Sequence, residues 1–384
     1  GLQSLKGVGR LVEVYAIKDE YLVIPKTDDY KETEVEVHKD EEVPSIAIIP
    51  FDNKGAEEDV FYAYGISADL ISDCSSAGLI RVASLKEIEK IDDFQTLKAD
   101  IICKELNVRY IAQGTLWKMD NMFQLSIELY DTKESKVVWS DRWQENWDNL
   151  SNIKTNLSDG LLKALDTKPK VEKIVNIGNT EAYEFYLKAK HKYAKRESTD
   201  DIEIVRGLLI KAIELDDNLI IAKNLIGTTY IDLSQLDKAV LFFKSALKIS
   251  KKMSDNRGLA DSLYNLGRYY YELGDNKIAN SYLEKSLDIY KELNDKNGLG
   301  KIYIMYATLY WSKNDLETSV QYDKKSLKLY EELGDLRGVG INLVGIGIYY
   351  SSIMNNDNKA LSYYNKALKI FEENNFISNI PYSL

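Results

Sequence analysis

The chain has 384 residues, more than a single hydrophobic core of about 250 to 300 residues can hold, so we expect two or three domains. Hydrophobic residues make up 45% of the sequence and 27 residues are tyrosines, which excludes a disordered chain. The 61 Asp and Glu residues outnumber the 50 Lys and Arg residues, and the resulting net charge of −11 disfavours nucleic acid as a partner.

Targeting and redox signals are weak in this sequence. No apolar run approaches the ~18 residues of a membrane-spanning helix, and the first twenty residues do not have the pattern of a signal peptide. We therefore expect a cytoplasmic protein without membrane insertion. Cys74 and Cys103 have no CxxC spacing and no third partner, so we expect buried free thiols and no metal site.

Residues 5–17 alternate between apolar and polar side chains after a Gly turn, which predicts a strand. Gly7 and Gly9 do not form a dinucleotide-binding motif, because the third Gly and the preceding strand are missing. The Lys-Gly turn leading into an apolar strand with a Val-Tyr pair resembles the final strand of a class III adenylate or guanylate cyclase domain. This resemblance implies that residues 1–17 end a truncated catalytic domain, whose metal-binding and nucleotide-binding residues lie upstream of Gly1.

Residues 18–43 are rich in Asp, Glu, Lys and Thr and are expected to form an acidic linker. After it, residues 44–167 change to strand and helix patterns. The order strand, helix, strand, helix, three-strand meander and closing helix predicts an α/β domain with a mixed sheet. These elements are expected at residues 45–50, 60–77, 79–83, 96–106, 108–117, 122–130, 136–143 and 150–165.

Five short motifs run through this domain: Ile48-Ile49-Pro50-Phe51, Gly65-Ile66-Ser67-Ala68-Asp69-Leu70-Ile71, Leu106-Asn107-Val108-Arg109-Tyr110, Gly114-Thr115 and Val138-Trp139. They resemble the N-terminal domain of TolB and the TolB-like domain of bacterial multidomain signalling proteins. In that family the domain is not known for catalysis, and the segment offers no His, no acid paired with a nucleophile and no phosphate loop. Asp69 and Asp73 lie one helical turn apart, but a solvated helix face is favoured over a catalytic acid pair.

From residue 219 onward the sequence repeats itself every 40 residues, in units that begin at residues 219, 259, 299 and 339. Each unit has two helix-length apolar patterns separated by a short polar turn, which predicts a helix-turn-helix repeat. Large and small residues recur together on one stripe of each helix. In the first helices they are Ile226, Gly227 and Tyr230; Leu266, Gly267 and Tyr270; Tyr306, Ala307 and Tyr310; and Ile346, Gly347 and Tyr350. In the second helices they include Ala239, Phe243 and Ala246; Ala279, Leu283 and Ser286; and Ala360, Tyr364 and Ala367.

This alternation resembles the tetratricopeptide repeat, in its longer variant of about 40 residues. The predicted fold class is an α/β domain followed by an all-α superhelix over residues 168–384, with about five helical hairpins. A divergent first unit at residues 179–218, in which Tyr193 replaces the usual small residue, is expected to cap the array. The unit at residues 299–338 departs at Asp323, where an aromatic residue or Leu is usual, so a looser core or a local partner for the charge is expected.

A charged turn recurs between the units. It could form a ligand edge, but a structural role is favoured, in which Asp caps the following helix and Gly supplies a permissive backbone. The residues are Asp255 and Gly258, Asp295 and Gly298, and Asp335 and Gly338.

The family resemblance implies a concave groove, lined by the first helices, that binds a protein or peptide. Tyr, Arg and Trp are enriched at binding hot spots, although these aromatic residues could instead fill the space between stacked units. Asn265 and Arg268 are similar to a carboxylate clamp of some family members, but the full Lys and Asn set is absent, so a chaperone C-terminus is not expected. The candidate groove residues are Asn224, Asp261, Tyr264, Arg268, Tyr271, Lys301, Thr308 and Trp311.

The leading functional hypothesis is a non-catalytic regulatory tail of a bacterial class III nucleotide cyclase, in which groove occupancy changes how paired catalytic domains meet. A homodimer is compatible with this hypothesis. The alternative is a stand-alone repeat scaffold or adaptor for a multiprotein assembly. An enzyme is disfavoured, because His38 lies in the linker, His191 lies on a helix and no catalytic constellation emerges. No catalytic residue and no cofactor are expected.

Overall fold

The structure is a computed structural model that describes residues 2–3, 12–13, 44–76, 81–83, 85–91, 94–95, 97–119, 122–146, 149–166, 179–196 and 198–373. The chain divides into two compact units, Gly1–Lys39 and Asp40–Leu384. In the first unit, strand β1 (Leu2–Gln3) pairs antiparallel with strand β2 (Val12–Glu13). The rest of the strand predicted at residues 5–17, and the linker predicted at 18–43, lie outside the described residues.

A six-stranded mixed sheet opens the second unit and confirms the predicted sheet class. Its strands are β3 (Ser45–Ile48), β4 (Asp52–Asn53), β5 (Arg81–Val82), β6 (Tyr110–Met119), β7 (Met122–Asp131) and β8 (Lys136–Asn146). The order across the sheet is β5-β3-β6-β7-β8, and β4 also pairs with β6. Strand β3 is parallel to β5 and β6, whereas β6, β7 and β8 form the antiparallel meander that the sequence predicted.

Helices cover both faces of this sheet. They are α1 (Val60–Ser76), α2 (Leu85–Ile88), α3 (Ala99–Leu106) and α4 (Leu150–Ala164). Because side chains alternate along a strand, Ile46 and Ile48 join the core with α1 and α4, while Ala47 and Ile49 join the core with α2 and α3. The short β4 and α2 have no counterpart in the prediction, since two and four residues give no readable periodicity.

Ten helices form five antiparallel hairpins in the described part of the repeat region. The helices are α5 (Thr180–Ala194) and α6 (Thr199–Leu215); α7 (Ile220–Asp232) and α8 (Leu236–Met253); α9 (Asn256–Glu272) and α10 (Asn276–Leu293); α11 (Lys296–Ser312) and α12 (Leu316–Leu333); and α13 (Leu336–Ser352) and α14 (Asp357–Glu373). Five hairpins, including the divergent first one, match the number expected from the 40-residue period.

Small residues allow the two helices of each hairpin to pack closely, as the alternation predicted. A Cβ added at Gly227 would lie 2.3 Å from the Phe243 ring, and one added at Gly267 would lie 2.7 Å from Leu283. These distances leave no room for a methyl group, so in these two hairpins the contact between the helices requires glycine on one side.

A stacked aromatic pair recurs in the last four hairpins. The recurring Tyr of the first helix lies against a ring of the second helix, with centroids 5.4 to 5.7 Å apart and planes 6° to 16° from parallel. Each pair therefore adds a directional contact to the apolar seam. The pairs are Tyr230 with Phe242, Tyr270 with Tyr282, Tyr310 with Tyr322, and Tyr350 with Tyr363.

The recurring Asp residues between units are helix caps, as predicted. The Asp295 side chain accepts a hydrogen bond of 2.9 Å from the Gly298 backbone N–H, and the other two Asp residues do the same. The expected reason for the glycine was wrong, because Gly298 lies inside helix α11 with helical geometry. A Cβ at Gly298 would lie 2.3 Å from the Tyr290 ring, so glycine is needed there for close packing.

The expected solvated acidic face on α1 is wrong for Asp69. It is 6% exposed, because helix α5 covers it. Its carboxylate accepts hydrogen bonds from the Tyr183 hydroxyl and from Lys190 Nζ, the latter at 2.5 Å. Cys74 and Cys103 are both buried and free, as predicted.

Candidate protein-binding groove

The first helices of successive hairpins contact one another along the array, α7 with α9, α9 with α11 and α11 with α13. Helices in this position line the inner side of a helical-repeat solenoid, so they form the wall of the candidate groove. All eight groove residues predicted from the sequence lie on α7, α9 or α11.

Three of the predicted groove residues on α9 and α11 are at least partly accessible. Trp311 is 52% exposed at the end of α11, and Lys301 is exposed on the same helix. Tyr271 is half-buried at the end of α9. The exposed indole of Trp311 offers apolar area to a polypeptide ligand, and Lys301 offers a positive charge elsewhere on the same helix.

The other predicted residues are engaged within the array. Asn224 is 9% exposed, and its amide lies 3.3 Å from the Ser262 hydroxyl between α7 and α9. Asp261 accepts a 2.6 Å hydrogen bond from the Tyr290 hydroxyl. Thr308 donates to a backbone carbonyl one turn earlier, and Tyr264 packs partly into the core around α11.

Arg268 belongs to a polar cluster that the sequence did not reveal. Its guanidinium lies 3.5 Å from Asp232, which also accepts a 2.5 Å hydrogen bond from the Tyr193 hydroxyl and lies 3.7 Å from Arg196. Burial and the bond to Asp232 raise the pKa of Tyr193, so the hydroxyl keeps its proton and donates. Two arginines and one carboxylate give the cluster itself a net positive charge. The bulky Tyr193 at a position usually held by a small residue was the only sequence signal of the cluster.

The α/β domain lies against the array rather than apart from it. One hydrophobic core runs from sheet residues such as Ile48 through α1 and α4 into α5, α6 and α7. The boundary predicted near residues 167 and 168 is outside the described residues, but the packing on either side of it is continuous. His191 takes part in this contact, with its ring 4.6 Å from the Tyr64 ring, and burial lowers its pKa.

Across the described residues, no group of three or more His, Cys, Asp or Glu side chains is arranged to hold a metal ion. None of the helices in that same part of the chain is long and apolar enough to cross a membrane.

A family model for the tetratricopeptide repeat matches residues 218–292 and 299–373. The matched helices, α7 to α14, form tetratricopeptide-type repeats. The matched ranges begin and end close to the hairpins formed by α7 to α10 and by α11 to α14, so sequence and coordinates agree on the repeat.

Among curated proteins, the chain is 24% identical over 186 residues to "Putative adenylate cyclase 3" of Rhizobium meliloti (strain 1021). The match covers 46% of this chain and 31% of that protein, so the chain spans about a third of the length of its relative.

Each of two solved structures is similar to part of this chain. BtubC (BKLC) from P. vanneervenii is 19% identical, with a TM-score of 0.42, covering 50% of this chain and 80% of that one. TolB from Acinetobacter baumannii is 15% identical, with a TM-score of 0.24, covering 32% of this chain and 28% of TolB. The TolB-like assignment of residues 44–167 stays a prediction.

Proposed function

We propose that this chain is the regulatory, protein-binding segment of a bacterial class III nucleotide cyclase. The tetratricopeptide array is a protein-interaction module, and the groove around Trp311 carries the proposal, because it is the part of the wall where predicted ligand-contacting residues remain accessible. The partial match to a curated cyclase and the cyclase-like pattern at residues 5–17 support the link to cyclic-nucleotide signalling in the cytoplasm.

The partner is a polypeptide that places an apolar side chain on Trp311 and an acidic group near Arg268. Trp and Arg are the residue types that most often dominate an interface, since each buries a large rigid surface with a polar handle. The net positive charge of the Asp232 cluster favours a carboxylate over an ammonium group at that end of the groove.

Partner recovery tests the groove. The full-length protein, with whatever precedes Gly1 in its gene, serves as bait, with Trp311→Ala and Arg268→Ala as test variants. Leu241→Ala is the matched control, because Leu241 is 66% exposed on the second helix α8. We expect each test variant to lower recovery of the wild-type partner about tenfold or more, and the control to leave it unchanged. Equal recovery by all variants would exclude this groove.

Turnover of the same full-length protein tests the cyclase link separately. We expect the full-length protein to form cyclic AMP or cyclic GMP at a rate that changes when the recovered partner is added. In Trp311→Ala, adding the partner is expected to leave this rate unchanged. A gene without a cyclase domain upstream would leave the alternative, a repeat scaffold for a multiprotein assembly. Sedimentation of the full-length protein then decides whether paired catalytic domains, and hence a homodimer, are involved.

A further inference from the structure

The α/β domain contacts the repeat array at two separate places. Helix α1 packs along α5 of the first hairpin, which we call the anchor contact. The C-terminal half of α1, together with β5, reaches α11 and α12 of the fourth hairpin and the turn before α13, which we call the clasp contact. One body thus touches both the first hairpin and the last two.

The anchor contact is closely packed and contains specific hydrogen bonds. A Cβ added at Gly65 would lie 2.7 Å from the Leu187 side chain, so Leu187 of α5 packs directly on the glycine of α1. Tyr183 is 1% exposed and donates to the buried Asp69, which also pairs with Lys190. Since one hydrophobic core spans this contact, breaking it would expose the interior of the α/β domain.

The clasp contact is thin and imperfectly packed. A cleft of about 190 Å³ lies between the two sides, lined by Ser72 and Ser75 of α1 and by Asn297 and Asp335 of the array. The buried Oδ1 of Asn297 meets no hydrogen-bond donor within the described part of the chain. An unmet buried acceptor lowers the stability of the closed arrangement, so this contact is the weaker of the two.

Charge and shape nevertheless complement each other at the clasp. Burial disfavours the charged form of Arg257 on α9, yet the carboxylates of Asp295, Asp261 and α1 residue Asp73 raise its pKa. On the other side of the cleft, Arg81 of β5 covers Gly334 so closely that a Cβ there would lie 2.7 Å from Arg81 Nε. Gly334 is buried, although the equivalent Ser254 two repeats earlier is exposed.

A solenoid is a chain of nearest-neighbour contacts, so small rotations at successive hairpins add up to large changes in its span. A body fixed to the first hairpin that also holds the fourth and fifth removes this freedom. We propose that the α/β domain is a clasp on the repeat array: anchored to the first hairpin, it closes on the last two, and opening the clasp contact widens the span of the groove. This coupling does not depend on a linked cyclase, and it gives a partner bound in the groove a direct route to the α/β domain.

Gly334→Asn places a side chain inside the clasp contact with little effect on the backbone. Gly334 has φ of +69°, and Asn294 holds the same left-handed position one repeat earlier with φ of 55°. The new side chain would displace Arg81. Ser254→Asn is the matched control, since it adds the same side chain at a left-handed, exposed position with φ of 56°.

The distance between spin labels at Glu214→Cys on α6 and Asn365→Cys on α14 reports the span, and both positions are exposed. We expect Gly334→Asn to add a longer-distance population and to speed amide exchange about tenfold in residues 333–338 and 72–76. Ser254→Asn is expected to match the wild type in both measurements. Should Gly334→Asn fail to fold, Ser72→Arg introduces the obstruction from the α1 side, at an exposed position.

A distance distribution identical to the wild type, in a folded variant whose exchange at residues 333–338 has increased, would overturn the proposal, because the clasp would then be open without changing the span. Unchanged amide exchange in both Gly334→Asn and Ser72→Arg would also overturn the proposal. The added side chains would then not collide with the opposite side of the clasp contact. Neither result bears on partner recovery or nucleotide turnover.

Discussion

Asp323 provides the sharpest test of the packing in the repeat array. It is 7% exposed on α12, at the position held by Phe243 and Leu283 in the preceding hairpins, and burial raises the pKa of its carboxyl to about 7. Gly345 of α13 makes the room for it, because a Cβ there would lie 2.3 Å from the carboxylate oxygen. A smaller acidic side chain thus occupies the position expected for a large apolar one, and helix α13 of the next hairpin covers it at Gly345.

The direction in which Asp323 makes stability depend on pH follows from which state, folded or unfolded, holds the proton on its carboxyl. Between the ordinary value of 3.8 and about 7, the folded protein keeps a proton on Asp323 that the unfolded chain releases, so stability falls as pH rises through this window. A shift of roughly 3 units corresponds to about 4 kcal/mol at most. The loss of folding stability caused by ionising Asp323 is absent below pH 3.8 and complete above about pH 7.

Asp323→Asn removes this titration while keeping the shape of the side chain. We expect the variant to gain up to about 4 kcal/mol relative to the wild type between pH 4 and pH 7.5, measured by urea unfolding followed through the helix signal. Glu272→Gln, which removes a carboxylate at an exposed position on α9, is the matched control for the loss of one negative charge. A flat difference for Asp323→Asn would refute the assignment of a buried, desolvated carboxyl.

Three further predictions concern packing and burial. Gly298→Ala should lower the thermal midpoint by the equivalent of about 1 to 3 kcal/mol, since its Cβ would meet the Tyr290 ring at 2.3 Å. Gly207→Ala on α6, where an added Cβ meets nothing within 4 Å, should raise stability by about 0.5 to 1 kcal/mol; equal effects of the two substitutions would contradict the close packing described at Gly298. Burial raises the pKa of the Cys74 thiol, and that of Cys103 to about 12, so a thiol reagent at pH 8 should label both only in urea. Rapid labelling of the folded chain would contradict their burial.

Periodicity alone determined the helical hairpins and the mixed sheet. The 40-residue recurrence of small and large residues sets the contact between paired helices, and that contact is local, so the hairpins built on Gly227 and Gly267 follow directly from the sequence. The caps at Asp255, Asp295 and Asp335 were equally readable, because a cap involves a backbone group only three residues away.

Contacts between segments that are far apart in the sequence were determined only by the tertiary structure. The sequence suggested a solvated Asp69, but α5, more than one hundred residues later, buries it against Tyr183. The cluster on Asp232 joins three helices, and no spacing rule relates its members. The clasp depends on the accumulated rotation of four hairpins, which brings Gly334 to Arg81. Local patterns fix each hairpin, whereas the sum of small angles between hairpins determines which surfaces meet.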